Sequence, residues 1–344
     1  MKKSILALAI LGAISGAAVA QSSVTVFGIL DVGVRSVTNG DITMKQLSNN
    51  GYSANQLGFR GVEDLGDGLK AAFWLEAAVS PDLGTASASL NNDKFFSRRA
   101  TVALISNYGE VRLGRDLNAS YLNLGTFDAF GNLGLGSNLN LISTLGSGAT
   151  TLVRTDNAIS YITPSTLGGF YGQLMAAPGE GNPGTRYRAA RIGYADAKLN
   201  VSASIGETGT ATSDNFTLSN VGASYDFGVV KVMGIYNQTE YGAKKQVVMG
   251  LGANAPINDF WQIRASVQSV NASGAGTDAN DANLFAVGGI YLLSKRTALY
   301  GTASRISNKG VAFYSVNSIT SLPLSTAATG RTSSGYEFGI RHGF

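Results

Sequence analysis

Residues Ser333–Phe344 read SSGYEFGIRHGF, and their side chains separate by position parity. Tyr336, Phe338, Ile340, His342 and Phe344 share one face; Gly335, Glu337, Gly339, Arg341 and Gly343 share the other. A period of two marks a β-strand, because successive side chains leave opposite faces. One face is aromatic and aliphatic, the other small or charged. That contrast suits a wall with hydrocarbon on one side and water on the other.

The same alternation recurs upstream. Val24, Val26, Leu30, Val32 and Val34 interleave with Thr25, Asp31, Gly33 and Arg35. Leu69, Ala71, Phe73, Leu75 and Ala77 interleave with Lys70, Trp74 and Glu76, and Ala100, Val102 and Leu104 with Arg99, Thr101 and Ala103. Trp261, Ile263, Ala265 and Val267 interleave with Gln262, Arg264, Ser266 and Gln268. Each run alone also fits a half-buried strand of a soluble sandwich; the connections distinguish the two. Tight turns are expected near Glu63–Gly68, Asn107–Glu110, Pro164–Gly169, Ala195–Lys198, Asp226–Val229, Asn254–Asn258 and Ser294–Arg296. Longer polar segments fall between them, near Ser36–Gly51, Ser80–Asp93, Asp116–Val153, Ala177–Tyr187, Gly206–Phe216, Gln238–Lys244, Ser269–Ala282 and Ser307–Thr332. Seven short and eight long connections join sixteen strands. This alternation is that of an all-β, antiparallel up-and-down transmembrane barrel, with short periplasmic turns and long extracellular loops. In hydrocarbon every backbone N–H and C=O must be paired, so the sheet must close. The last strand is therefore expected to pair with Val24–Val34. Sixteen strands enclose an aqueous channel rather than a packed interior.

Composition agrees. Glycine is abundant (44 residues), proline scarce (6) and cysteine absent, which removes disulfides and thiolate metal sites. After residue 20 no apolar run reaches the length of a membrane-spanning helix. The first twenty residues have the pattern of an export signal: basic Lys2 and Lys3, apolar Ile5–Ile14, then Ala18-Val19-Ala20. Residues 1–20 are thus expected to be cleaved before Gln21, leaving a single barrel domain over 21–344. Without Lys2 and Lys3 the net charge falls from +4 to +2, too balanced for a nucleic-acid surface. His342, the sole histidine, has no partner for a metal site or a catalytic triad. Glu63-Asp64 belongs to a turn signature. Neither enzymatic chemistry nor a cofactor is expected.

Placing the apolar parity toward lipid puts Asp31, Arg60, Lys70, Glu76, Arg99, Arg112, Arg154 and Arg264 on the inner face. An ionised side chain facing hydrocarbon near the midplane costs about 2–4 kcal/mol, so the charges support the same assignment independently. Arg98 takes the opposite parity and is expected near the polar end of its strand. Asp116–Val153 is the longest interruption. It is rich in Leu, Gly and Asn, carries Tyr121, Phe127 and Phe130, and has only Asp116 and Asp128 as charges. A loop folded into the lumen needs apolar residues to pack on the wall and small ones to fit. This third loop is read as the constriction, with FDAFG (Phe127–Gly131) near its tip.

Several segments then carry a family resemblance: SSVTVFGILDVGV at the start, GFRGVEDLGDGLKAAFWLE (Gly58–Glu76), YGEVRLGRD (Tyr108–Asp116), YLLSKRT (Tyr291–Thr297) and the terminal GIRHGF. The chain resembles the trimeric general porins of beta-proteobacterial outer membranes, of the Burkholderiales and Neisseria type, over essentially its whole mature length. The resemblance implies sixteen strands, a homotrimer, an inward-folded third loop and anion preference. It also implies an arginine ladder through the constriction, matched here by Arg60 in LGFRG, Arg99 in FFSRRATV and Arg154 in VRTDNAISY. Relatives often carry a different polar residue at position 99, and a smaller polar residue where Trp74 stands. Trp74 could pack on the loop or narrow the lumen. Asp128 is the expected opposing carboxylate and Glu76 the second candidate; Arg112, Lys70, Arg264 and Asp31 are further pore-lining candidates. Each inward arginine can contact ions directly or act as a strut between wall and loop.

Arginine suits anion passage because guanidinium stays charged and its planar fork offers several donors to an oxyanion. In a narrow passage with low-dielectric walls its field is focused. The expected function is passive diffusion of small hydrophilic solutes, with small anions preferred. A channel specific for a phosphate-like or organic anion, or a barrel-based adhesin, are the alternatives. Expected partners are outer-membrane lipids and lipopolysaccharide, the latter through Lys244, Lys245 and Lys309. Phe344 resembles the terminal aromatic read by the outer-membrane insertion machinery.

Overall fold

Antiparallel strands follow one another from Ser23 to Gly343 in a computed structural model that describes residues 23–86, 94–317 and 329–344. The expected export signal lies outside the described residues. We number the wall strands β1 (Ser23–Asn39), β2 (in two segments, Ile42–Asn49 and Gln56–Gly66), β3 (Leu69–Ser80), β4 (Arg99–Ser106) and β5 (Gly109–Leu117). Then come β6 (Arg154–Ile162), β7 (Phe170–Ala177), β8 (Arg186–Ala195), β9 (Leu199–Gly209), β10 (Asn215–Asp226) and β11 (Lys231–Tyr241). The series ends with β12 (Lys244–Pro256), β13 (Trp261–Ser273), β14 (Ala282–Leu292), β15 (Thr297–Asn308) and β16 (Thr332–Gly343). Each pairs with its sequence neighbour, and β1 pairs with β16, so the described residues form a closed sixteen-stranded barrel. A two-residue strand, Thr85–Ala86, lies against the end of β3.

Closure follows the backbone requirement. β1 meets β16 in a register from Ile29↔Gly343 to Asn39↔Ser333. The seam therefore runs higher on β1 than the expected Val24–Val34, because β16 ends where β1 is still emerging. At its lower end the Phe344 N–H donates to the Gly28 carbonyl at 3.0 Å, and the Gly28 N–H returns the bond at 3.1 Å. The Phe344 ring lies over Gly28, where a Cβ would come within 2.3 Å of it, so the ring needs a glycine there.

Parity holds along the wall. Val24, Val26 and Val34 on β1 and Tyr336, Phe338 and Ile340 on β16 are exposed on the outside, whereas Asp31, Arg35 and Glu337 are buried inside. The tight turns stand where the sequence places them. Three of the long connections do not. Ser36–Gly51 is a strand hairpin turning at Gly40-Asp41. The loop at Gln238–Lys244 shrinks to Gly242-Ala243, and that at Gly206–Phe216 to residues 210–214. There the strands continue past the hydrocarbon with polar side chains on both faces, Glu240 opposite Lys245 on one and Thr239 opposite Gln246 on the other. Backbone pairing persists after the hydropathy alternation has ended.

The third loop folds into the barrel. It begins with helix α1 (Ala119–Thr126), which lies against β8, β9 and β10. A short 3-10 turn, Asn138–Leu141, follows. Phe130, Leu135 and Leu141 pack on inward-facing Met233, Val248, Val270, Leu284 and Ile306 of β11–β15. The inner wall of β11–β15 is thus apolar where Phe130, Leu135 and Leu141 cover it. Residues 50–55, between the two segments of β2, fold inward against the loop, with the Gly51 carbonyl abutting Gly134.

Candidate functional site

The third loop is fixed to one side of the lumen by side chains rising from the wall. Arg191 on β8 donates to Asn123 Oδ1 at 2.9 Å and to Thr126 Oγ1 at 3.1 Å, at the helix C-terminus where a cation is favoured. Tyr187 and Ser120 share a hydroxyl contact of 2.8 Å, and Asn123 donates to Asn220 Oδ1 at 2.7 Å. Phe127 lies directly on Gly222 of β10. Farther round, the Gln246 side chain accepts from the Ser143 N–H at 2.9 Å and Lys244 donates to the Leu145 carbonyl at 3.2 Å. Lys244 is therefore a loop anchor rather than a free surface cation.

Asp128 does not oppose the arginines across the lumen. It is 7% exposed and accepts from the N–H groups of Phe130 (3.0 Å), Asn132 (2.9 Å) and Asn138 (3.1 Å). It shapes the turn at the loop tip. Burial pushes its carboxyl above the ordinary carboxylate value, against the pull of those three donors. Arg264 is also withdrawn from the passage: it is 4% exposed, with its guanidinium 4.3 Å from the Phe130 ring centre and 5.3 Å from that of Tyr52. Asp31, fully buried, accepts from the Tyr300 hydroxyl at 2.6 Å and the N–H groups of Tyr52 (2.8 Å) and Ser53 (2.5 Å). Parity places these groups inside correctly, but the loop and residues 50–55 cover them.

The uncovered inner wall of β2–β6 carries the other charges that the sequence singles out. Arg60 on β2 is exposed to the lumen and has no ion pair among the described residues. Its guanidinium lies 5.1 Å from the Trp74 ring centre and 5.3 Å from that of Phe27. Arg99 on β4 lies 4.5 Å from the same Trp74 ring, with Asp116 at 3.6 Å. The indole Nε1 donates to Glu76 Oε2 at 3.0 Å, and Arg98 pairs with Glu76 Oε1. Glu76, 8% exposed, is thus occupied by wall partners instead of projecting into the passage. Arg98 reaches inward against its sequence parity because it precedes β4 and is not held by the pleat. Arg154, at the start of β6, donates to the Arg98 carbonyl at 2.9 Å and has Arg98, Tyr121, Arg115 and Glu76 as its electrostatic neighbours. Arg112 is neutralised by Glu110 (2.7 Å) and Asp116 (2.6 Å). Lys70 is exposed one residue from the periplasmic turn, across from Asp64, so it belongs to the vestibule.

The structure therefore groups Arg60, Arg99, Arg98, Arg154 and Glu76 around Trp74, and separates from them Arg264, Asp31 and Asp128 beneath the loop. Sequence reasoning missed Arg191 and the pair Arg35–Glu337, in which Arg35 donates to Glu337 Oε2 at 2.5 and 2.8 Å. Parity alone would have offered both members as inward charges. His342 faces outward, with its Nδ1 2.8 Å from Thr297 Oγ1.

The comparisons with known proteins agree with this architecture. The model of the Gram-negative porin family matches residues 7–311. Outer membrane porin protein 32 of Delftia acidovorans is 38% identical over the whole of both chains. An outer membrane porin of Bordetella pertussis is 31% identical, covering 90% of this chain and 95% of its own. The solved anion-selective porin from Comamonas acidovorans superposes with a TM-score of 0.83 at 33% identity, covering 94% of this chain and all of its own. The closed barrel, the inward loop and these relatives together place the chain in the Gram-negative porin family, as an outer-membrane protein forming a passive channel.

Proposed function

We propose that the channel prefers small anions, and that Arg60, with Arg99 and Arg154 beside it, sets that preference. The observation that carries this reading is the imbalance of charge on the uncovered wall. Arg112 and Arg98 are matched by carboxylates, whereas Arg60 stands in the lumen with none among the described residues. An uncompensated guanidinium beside a low-dielectric wall lowers the energy of a passing anion and raises that of a cation. The similarity to an anion-selective porin from Comamonas acidovorans supports the reading. The channel acts by diffusion, without enzymatic chemistry.

We infer that the chain assembles as a homotrimer; a barrel of similar fold from Vibrio cholerae, 14% identical, has been solved in a trimer form. Residues 1–20 direct export and are removed. Phe344 is the handle for barrel insertion, and exposed Lys309, with Lys245 at the outer end of β12, meets lipopolysaccharide phosphates. The test is a planar bilayer holding the purified protein between unequal KCl solutions. A reversal potential favouring chloride supports the proposal, and one favouring potassium overturns it.

A further inference from the structure

We propose that Trp74 is a specificity-determining residue: its indole holds Arg60 and Arg99 in place without cancelling their charge. The inference rests on the anion-preferring reading above and adds to it a mechanism for keeping the field strong.

A lumen arginine presents a design conflict. A free side chain spreads its charge over many rotamers, and a carboxylate that fixes it also neutralises it. Arg35, Arg98 and Arg112 are fixed by carboxylates. Arg60 is fixed differently. It is the direct cross-strand partner of Trp74, and its guanidinium lies over that ring and over Phe27. Phe27 in turn meets Trp74 edge-on at 5.2 Å, so the two rings form one aromatic ledge. On the opposite side of β3, Arg99 reaches the same indole, closer than either Arg60 contact. A ring quadrupole attracts a guanidinium but carries no net charge. The planar fork keeps its N–H donors for a solute.

The indole is itself oriented. Its Nε1–H donates to Glu76, whose second oxygen takes Arg98. The carboxylate nearest the ledge is thereby engaged by Arg98 and the ring edge, and not by Arg60. Asp116 lies 2.6 Å from Arg112 and 3.6 Å from Arg99, so Arg99 is the more weakly paired of the two, and Arg60 alone of the ledge arginines meets no carboxylate among the described residues.

The experiment compares neutral variants of the full-length protein in bilayers under a KCl gradient. Trp74→Phe keeps an aromatic face and should retain the wild-type chloride-to-potassium permeability ratio. Trp74→Leu and Trp74→Met keep bulk but lose the face. Each should lower the ratio about two- to fivefold, the range matching a partly exposed cation–π contact, with open-channel conductance little changed. Two aliphatic variants keep the test available if one fails to assemble. Equal ratios in Phe and aliphatic variants, whether at the wild-type value or below it, would overturn the role of the aromatic face. A wild-type channel with no chloride preference would instead overturn the anion reading itself, before any variant is compared.

Discussion

Gly222 offers a direct way to move the third loop without touching a charge. It faces the lumen on β10 under Phe127, and a Cβ built there would stand 2.1 Å from Cδ2 and 2.4 Å from Cγ of the ring. Carbon atoms in contact need about 3.5–4.0 Å, so in Gly222→Ala the ring must retreat by about 1.5 Å. It has little room: Phe127 is 2% exposed and packs with Leu124, Leu139 and Ile235. Overpacking of this kind costs about 1–3 kcal/mol. The barrel ladder on both sides of β10 is continuous, so the loop yields rather than the wall. We expect a lower thermal unfolding midpoint and an altered single-channel conductance, with sign of selectivity unchanged. Phe127→Ala alone empties a buried site and should cost about 3–5 kcal/mol. In the double variant the new methyl occupies part of that space, so the two costs should fall short of their sum by about 1 kcal/mol. Native conductance and stability in Gly222→Ala, or strictly additive costs, would refute the packing argument.

Other consequences follow from the seam and the rim. Arg35→Ala leaves Glu337 as a buried charge and should cost about 3–5 kcal/mol in denaturant unfolding, whereas Arg35→Met with Glu337→Leu should stay near wild type. At the rim, Asp41 in the first hairpin turn pairs with Arg331, and the hydrogen bond from Arg331 holds its carboxyl below the ordinary value of 3.8. A depressed acid contributes above its unfolded pKa and is lost as pH falls through the folded one. Protection of the Gly40-Asp41 amides, taken relative to intrinsic exchange at each pH, should therefore persist at pH 4, fall only at lower pH, and lose this step in Arg331→Ala. Deleting Phe344 removes its paired hydrogen bonds with Gly28. It should lower the yield of heat-stable barrel while leaving the permeability ratio of the assembled fraction unchanged.

Much of this fold could be read from the chain because two strong constraints act on it. Backbone pairing in hydrocarbon dictates closure, and lipid on one side fixes parity, so Asp31, Arg60, Glu76 and Arg264 could all be placed inside. Parity gives a face and not a depth. Whether an inward group meets water or the third loop depends on where that loop lies. Arg264 and Asp31 proved to be buried while Arg60 stayed exposed. Asp128 was misplaced because its role is local: it gathers backbone donors of its own loop, a pattern that composition does not display. Arg35 and Glu337 meet across 302 positions, a pairing fixed only by the register of the seam. The hairpin extensions leave no mark in the sequence, because polar residues on both faces erase the hydropathy alternation.

We propose that one uncompensated guanidinium, Arg60, governs which ions pass. Removing a unit charge about 8 Å from a passing ion changes its energy by about 0.5 kcal/mol in water and more near a low-dielectric wall, with opposite sign for anion and cation. In about 0.1 M salt, where screening acts over about 10 Å, this becomes a two- to fivefold effect on their ratio. Reversal potentials of Arg60→Ala against wild type should show the chloride-to-potassium permeability ratio falling by about that factor. An unchanged ratio in a normally conducting Arg60→Ala channel would show that Arg60 does not set the selectivity.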